Sequence, residues 1–162
     1  MTEPELQTKL TERFGAKVTV TVARPKRVFA AVAKADVKGL LRWLKDDLGF
    51  YHLSTITGLD SGENLEALYH LTDGNILLTV RVAVAKTDAH IPTITDVIPG
   101  AILYERELQD MFGFVVDEIP DPRRYVLPED WPDGVYPLRK DFKVASDGKA
   151  GAGSMSRMLL AS

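Results

Sequence analysis

Glu105, Glu107 and Asp110 stand close together in the stretch YERELQDMFG, with Arg106 between the first two. Carboxylates grouped in this way can do general acid–base work or hold a divalent cation, provided a cleft aims them at one substrate. If the stretch is helical, Tyr104, Leu108 and Met111 share one face. Arg106 and Asp110 then lie one turn apart, as do Glu107 and Asp110, so the charges are expected to satisfy one another locally. No nucleophile or electrophile accompanies them. Two readings follow: a helix whose ion pairs fix a buried or interface position, and a small free-standing acid/base enzyme using Glu105, Glu107 and Asp110.

Other chemistry is sparse. His52, His70 and His90 have no HExxH or paired-carboxylate spacing around them, so none reads as a metal ligand, and His52 and His70 read as strand-surface residues. GKAGAGS carries its lysine at the wrong end for a phosphate loop and follows no strand. No GxSxG is present. The chain contains no cysteine, which argues against an iron–sulfur cluster, a thiolate zinc site or a disulfide of its own. A net charge of −3 gives no electrostatic footprint for nucleic acid. The most apolar run, ILLTVRVAV, is interrupted by Arg81, and MTEPELQTKL lacks the features of a signal peptide, so an intracellular protein is expected.

The elements that must position the motif are legible in outline. Pro4, the spacing of Leu6, Leu10 and Phe14, and Gly15 describe an amphipathic helix with a glycine stop. KVTVTV alternates Val18, Val20 and Val22 with threonine as a half-buried strand does, and RVFAAVA completes a hairpin. Asp36 reads as the N-cap of a second helix whose stripe is Val37, Leu40, Leu41, Leu44 and Leu48, ended by Gly49. FYHLSTITGL, NLEALYHLT and NILLTVRVAVA, separated by DSGE and TDGN, form an antiparallel meander. KTDAHIPTITDVIPG is a connector, and the motif helix is placed at about Pro99 to Phe112, stopped by Gly113. The fold class is α+β: two layers, with helices on one face of a mainly antiparallel sheet that leaves room for mixed pairing.

After that helix the composition changes. Pro120, Pro122, Pro128, Pro132 and Pro137 forbid a continuous helix or central strand, yet Tyr125, Trp131, Tyr136 and Phe142 alternate with Arg123, Arg124, Arg139 and Lys140. The organisation expected is an α/β core over 1–113, an extended docking arm over 114–143, and a mobile glycine-rich tail over 144–162.

YERELQDMFG followed by IPDPRRYVLPEDWPDGVYPLRKDF resembles the 30 kDa subunit of respiratory complex I. The same family supplies a small hydrophilic subunit to membrane-bound, energy-converting [NiFe] hydrogenases. The resemblance rests on Glu105, Arg106, Glu107, Asp110, Phe112, Gly113, Pro120, Arg123, Arg124, Leu127 to Trp131, and Pro137, Leu138, Arg139, Lys140, Asp141 and Phe142. Ile119 stands where complex I members generally have histidine, which brings the motif closer to the hydrogenase branch. The resemblance implies a non-catalytic subunit of the peripheral arm, attached to the cytoplasmic side of the membrane only through its partners. Those partners would be a large subunit of the 49 kDa or hydrogenase type and a small iron–sulfur subunit. This chain would bind no cofactor; iron–sulfur clusters, with nickel–iron or flavin according to the complex, would sit in the neighbours. The motif residues, with Tyr125 and Trp131, would then form a subunit interface, since aromatic and arginine side chains carry most interface energy.

Overall fold

The computed structural model describes residues 1–144, so nearly all of the expected tail lies outside the described residues. Helix α1 (Glu3–Phe14) starts on a capping box in which Thr2 accepts from the Glu5 amide and the Glu5 carboxylate accepts from the Thr2 amide. Its Leu6 and Leu10 are fully buried. Strands β1 (Val18–Arg24) and β2 (Arg27–Val32) form the expected hairpin. The alternation in β1 is only half expressed, because Val18 is buried while Val22, near the turn, is 40% exposed.

Helix α2 (Lys34–Leu48) buries Val37, Leu40, Leu41 and Leu44 and ends at Gly49 in the left-handed conformation, φ 77°. Its start differs from expectation. The N-cap position is Ala33, and Asp36 lies inside the first turn, bound to Lys17 at 2.8 Å. An acidic side chain there still favours the positive end of the helix, which is why the sequence signal is nearly the same for both placements. Trp43 on α2 meets Phe14 of α1 edge to face, with centroids 5.5 Å apart.

Strands β3 (His52–Asp60), β4 (Asn64–Thr72) and β5 (Leu77–Ala85) form the meander, and the sheet order is β1-β2-β5-β4-β3. β5 pairs parallel to β2 while every other pairing in this sheet is antiparallel, so the sheet is mixed. Leu65, Ala67, Tyr69 and Leu71 of β4 and Leu78, Val80, Val82 and Val84 of β5 make the core face. On the opposite face Arg81, Ala83 and Ala85 are exposed, and the His70 ring bridges the hydroxyls of Thr57 and Thr79 across three strands. Among the described residues the helices therefore cover one face, as a two-layer α+β domain requires.

The connector contains structure that periodicity does not show. Strand β6 (His90–Pro92) pairs parallel with β7 (Val115–Asp117), and His90 and Asp117 meet at 2.8 Å. Helix α3 (Ile102–Phe112) follows a 3-10 turn over Pro99–Ala101, so the α-helix begins later than Pro99. Three-residue strands are too short to display a period-2 pattern.

Gly58 of β3 lets α3 lie against the sheet. A Cβ there would stand 2.4 Å from the Phe112 ring and 2.9 Å from Leu108. Gly58→Ala should therefore cost about 1–3 kcal/mol through overpacking between β3 and the Phe112 and Leu108 side chains. Gly39 in α2 has open space around its Cβ position, so Gly39→Ala should stabilise by about 0.5–1 kcal/mol. Urea unfolding of the two variants is expected to give shifts of opposite sign, and a neutral Gly58→Ala would contradict the packing of α3.

Candidate functional site

The charges of α3 do not satisfy one another along the helix, contrary to the expectation from their spacing. Glu105, Arg106 and Asp110 instead reach residues distant in the chain. Glu105 is fully buried and points into the turn after β6, where its carboxylate accepts from the Thr93 hydroxyl at 2.7 Å and the Ile94 amide at 2.6 Å. Burial pushes its carboxyl up, and those two donors oppose the shift. The neighbouring Tyr69 phenol is also raised, by burial and then by the Glu105 charge.

Arg106 turns toward the proline-rich segment. Its Nε donates to the Arg123 carbonyl at 2.7 Å and its Nη2 to the Arg124 carbonyl at 2.8 Å, while the guanidinium stacks 5.4 Å from the Tyr125 ring centroid. One turn further, Asp110 Oδ2 accepts from three consecutive amides, Tyr125 at 2.9 Å, Val126 at 2.8 Å and Leu127 at 3.2 Å. A carboxylate collecting adjacent N–H groups is a strong, charge-assisted arrangement. Arg106 and Asp110 thus hold the carbonyls and the amides of one short stretch, 123–127.

Glu107 faces solvent. Glu105, Glu107 and Asp110 therefore occupy three separate environments, which removes the acid/base reading: no cleft gathers them. Among the described residues, no group of three or more His, Cys, Asp or Glu is placed to hold a metal ion.

The end of α3 is tied to the arm as well. Gly113 adopts φ 75°, and a Cβ there would meet the Tyr136 ring at 2.4 Å, so both conformation and space require glycine. The Leu138 amide donates to the Met111 carbonyl at 3.1 Å, and Arg139 Nε donates to the Phe112 carbonyl at 2.6 Å while lying 4.3 Å from the Tyr136 ring centroid. These bonds satisfy carbonyls that a helix end leaves orphaned. Further along, the Lys140 amide donates to Asp60 Oδ2 at 2.9 Å, an acceptor that Lys86 Nζ also reaches at 2.7 Å.

Between these ties the arm folds on itself. Arg124 Nη1 donates to the carbonyls of Trp131 at 2.6 Å and Pro128 at 3.2 Å, and its Nη2 meets Asp133 at 2.6 Å. Trp131 Nε1 donates to the Val135 carbonyl at 2.9 Å, and its ring lies 6.4 Å from that of Phe142. Arg124, Trp131, Arg139 and Phe142, which the sequence suggests for partner contact, are thus engaged within the chain. Pro137 is half-buried, and Phe112 is buried beneath α3. Exposed side chains of the arm include Arg123, 81% exposed, Tyr125, Val126 and Leu138, together with the charged Glu129, Asp130, Asp133, Lys140 and Asp141. Gly58, Asp60, Thr93 and Asp121 also build the site, and sequence reasoning does not single them out. Nothing local marks them, and Asp60 reads only as part of the turn DSGE.

The sequence profile described as respiratory-chain NADH dehydrogenase, 30 Kd subunit, matches residues 30–148. An NADH-quinone oxidoreductase subunit of Chloroherpeton thalassium is 36% identical over 140 residues, covering 82% of this chain and 58% of the relative, so the chain spans a little over half that protein's length. Membrane-bound hydrogenase subunit beta of Pyrococcus furiosus is 31% identical over 143 residues, covering 83% of each. A chain in the structure of the membrane-bound sulfane sulfur reductase, an archaeal respiratory membrane complex, superposes with a TM-score of 0.78 at 24% identity. The superposition covers 96% of this chain and 89% of that one, and it shows that the fold is shared.

Asp110→Ala should release the arm without unfolding the sheet. Hydrogen exchange at the amides of Tyr125, Val126 and Leu127 is expected to quicken by the equivalent of about 1–3 kcal/mol while β4 and β5 amides hold. Unchanged protection at those three amides would refute the hook. Asp60 gives a pH test. Burial opposes its ionisation, but Lys86 and the Lys140 and Gly62 amides outweigh burial and hold the carboxyl at about 2. With a folded value depressed below the unfolded ~3.9, its stabilisation is complete above that value and is lost as pH falls from about 4 toward 2. Asp60→Asn should flatten the stability profile within that window in urea titrations.

Proposed function

The chain belongs to the respiratory-chain NADH dehydrogenase 30 kDa subunit family, and on that premise we propose that it is a non-catalytic subunit of a membrane-associated, ion-translocating redox complex. It docks on the large catalytic subunit through the arm that α3 holds. The observation that carries this reading is the grip of Arg106 and Asp110 on residues 123–127. A proline-rich segment fixed in this way presents Arg123, Tyr125, Val126 and Leu138 in one set conformation, and a preformed surface loses little entropy on binding. Those residue types include the aromatic and arginine side chains that anchor interfaces.

The names of the relatives support the kind of assembly: one is a subunit of a quinone oxidoreductase and another of a membrane-bound hydrogenase. Among the described residues no helix is long and apolar enough to cross a membrane. In this reading the chain is attached on the cytoplasmic side through partner subunits, binds no cofactor and lends shape. Electrons pass through a small iron–sulfur subunit and the large subunit, whose centres are nickel–iron or flavin-linked according to the complex.

Purified alone, the protein should lack stoichiometric iron, nickel and flavin and show no turnover with hydrogen or NADH. In cells carrying a tagged large subunit, Arg106→Ala combined with Asp110→Ala should lower recovery of this chain roughly tenfold, the effect of losing one well-formed anchor arrangement. Equal recovery, or a tightly held redox centre in the isolated chain, would overturn the proposal.

A further inference from the structure

Two Asp–Gly pairs lie among the described residues, Asp73–Gly74 in the turn between β4 and β5 and Asp133–Gly134 in the arm, and the fold treats them differently. A third, Asp147–Gly148, lies outside the described residues. We propose that Asp133 is a modification site at which the chain isomerises spontaneously to isoaspartate, with water as the only other reactant, while Asp73 is protected. The chemistry needs an aspartate carboxyl free to rotate onto the next amide, and a small following residue whose N–H is not already engaged. Glycine suits that following position because it has no Cβ to block the approach and moves easily among backbone conformations.

At Asp133 both reacting groups are open. The Asp133 side chain is fully exposed. Gly134 adopts φ 75°, a Cβ there would meet nothing within 4 Å, and its amide donates to no acceptor among the described residues. One carboxylate oxygen takes Arg124 Nη2 at 2.6 Å, and the other has no partner among the described residues. That ion pair favours the ionised carboxylate, whereas the reaction runs through the neutral carboxyl, so Arg124 is a brake on it. A pair at the surface is a weak brake. At Asp73 the same two residue types are tied down. Asp73 Oδ1 accepts from the Asn75 amide at 2.9 Å and the Ile76 amide at 2.7 Å, and the Gly74 amide donates to Thr72 Oγ1 at 3.0 Å. Reaction there must await local opening of the turn, which keeps the reactive population small.

In the step itself, the Gly134 nitrogen bonds to Asp133 Cγ. One carboxyl oxygen leaves as water, carrying the carboxyl proton and the amide proton, and a succinimide ring remains. Water then adds to a ring carbonyl. Where the bond between the Asp133 main-chain carbonyl and the Gly134 nitrogen breaks, the chain continues through Cγ, the main chain gains a methylene, and the former main-chain carbonyl becomes the free carboxylate. The Arg124 contact is thereby displaced, at the turn leading to Val135, whose carbonyl accepts from Trp131 Nε1 at 2.9 Å. Isomerisation at one residue therefore resets the fold of the arm.

The test ages the full chain near neutral pH in water enriched in oxygen-18 and maps its peptides by mass spectrometry, since each ring opening leaves one heavy oxygen at the aspartate concerned. Incorporation at Asp133 should exceed that at Asp73 at least about tenfold, the effect of a turn that must open first. Thr72→Val removes the acceptor of the Gly74 amide, so it should raise incorporation at Asp73 and leave Asp133 unchanged. Asp133→Glu keeps the carboxylate but closes a less favourable ring, and should show no incorporation at that position. In the aged wild type, the Trp131 indole N–H resonance should shift while that of Trp43 holds. Incorporation at Asp133 below the stated margin over Asp73 would overturn the modification site, and an unmoved Trp131 signal in converted protein would overturn its effect on the arm.

Discussion

A peptide segment that can form neither helix nor sheet must still satisfy its backbone N–H and C=O groups, and in this protein that requirement governs the arm beyond β7. Its five prolines break any regular ladder. Asp110 supplies the acceptor for three successive amides, and Arg106 supplies donors for two carbonyls just before them. The two side chains sit one turn apart on α3, so a rigid helix sets the spacing of both grips. Charged side chains that would be ordinary on a solvated helix become the substitute for secondary structure.

That substitution depends on α3 being held in turn. Gly58 admits Phe112 and Leu108 to the sheet, while Glu105 pins the other side of the helix to the turn after β6. Burying Glu105 is costly and is offset by two short hydrogen bonds that its carboxylate accepts, so the position resists substitution by any residue with a different acceptor pattern. Sheet, helix and arm thus form a chain of dependence in which each layer orients the next. Asp60, at the end of β3, completes it by tying the Lys140 amide back to the core.

A surface built in this way is preformed. Arg124, Trp131 and Arg139 make their hydrogen bonds inside the arm and at the helix end, while Arg123, Tyr125, Val126 and Leu138 stay exposed. For an assembly subunit that arrangement favours rapid, orientation-specific docking over folding upon contact, because little ordering remains to be done.

Much of this is legible in the order of residues. Periodicity locates the helices and the five long strands, and the glycine stops at Gly49 and Gly113 are visible. Local sequence cannot assign partners to the charges. Spacing along a helix suggests that Arg106 and Asp110 pair with each other, whereas both bind residues more than a dozen positions away. Nor can it reveal β6 and β7, whose three residues apiece are too few to show a period, or the parallel pairing of β2 with β5. What the sequence determined was the set of elements and the residue types, because propensity and periodicity act over a few residues. Which donor meets which acceptor was decided only by the tertiary structure, because that depends on how distant segments are brought together by packing.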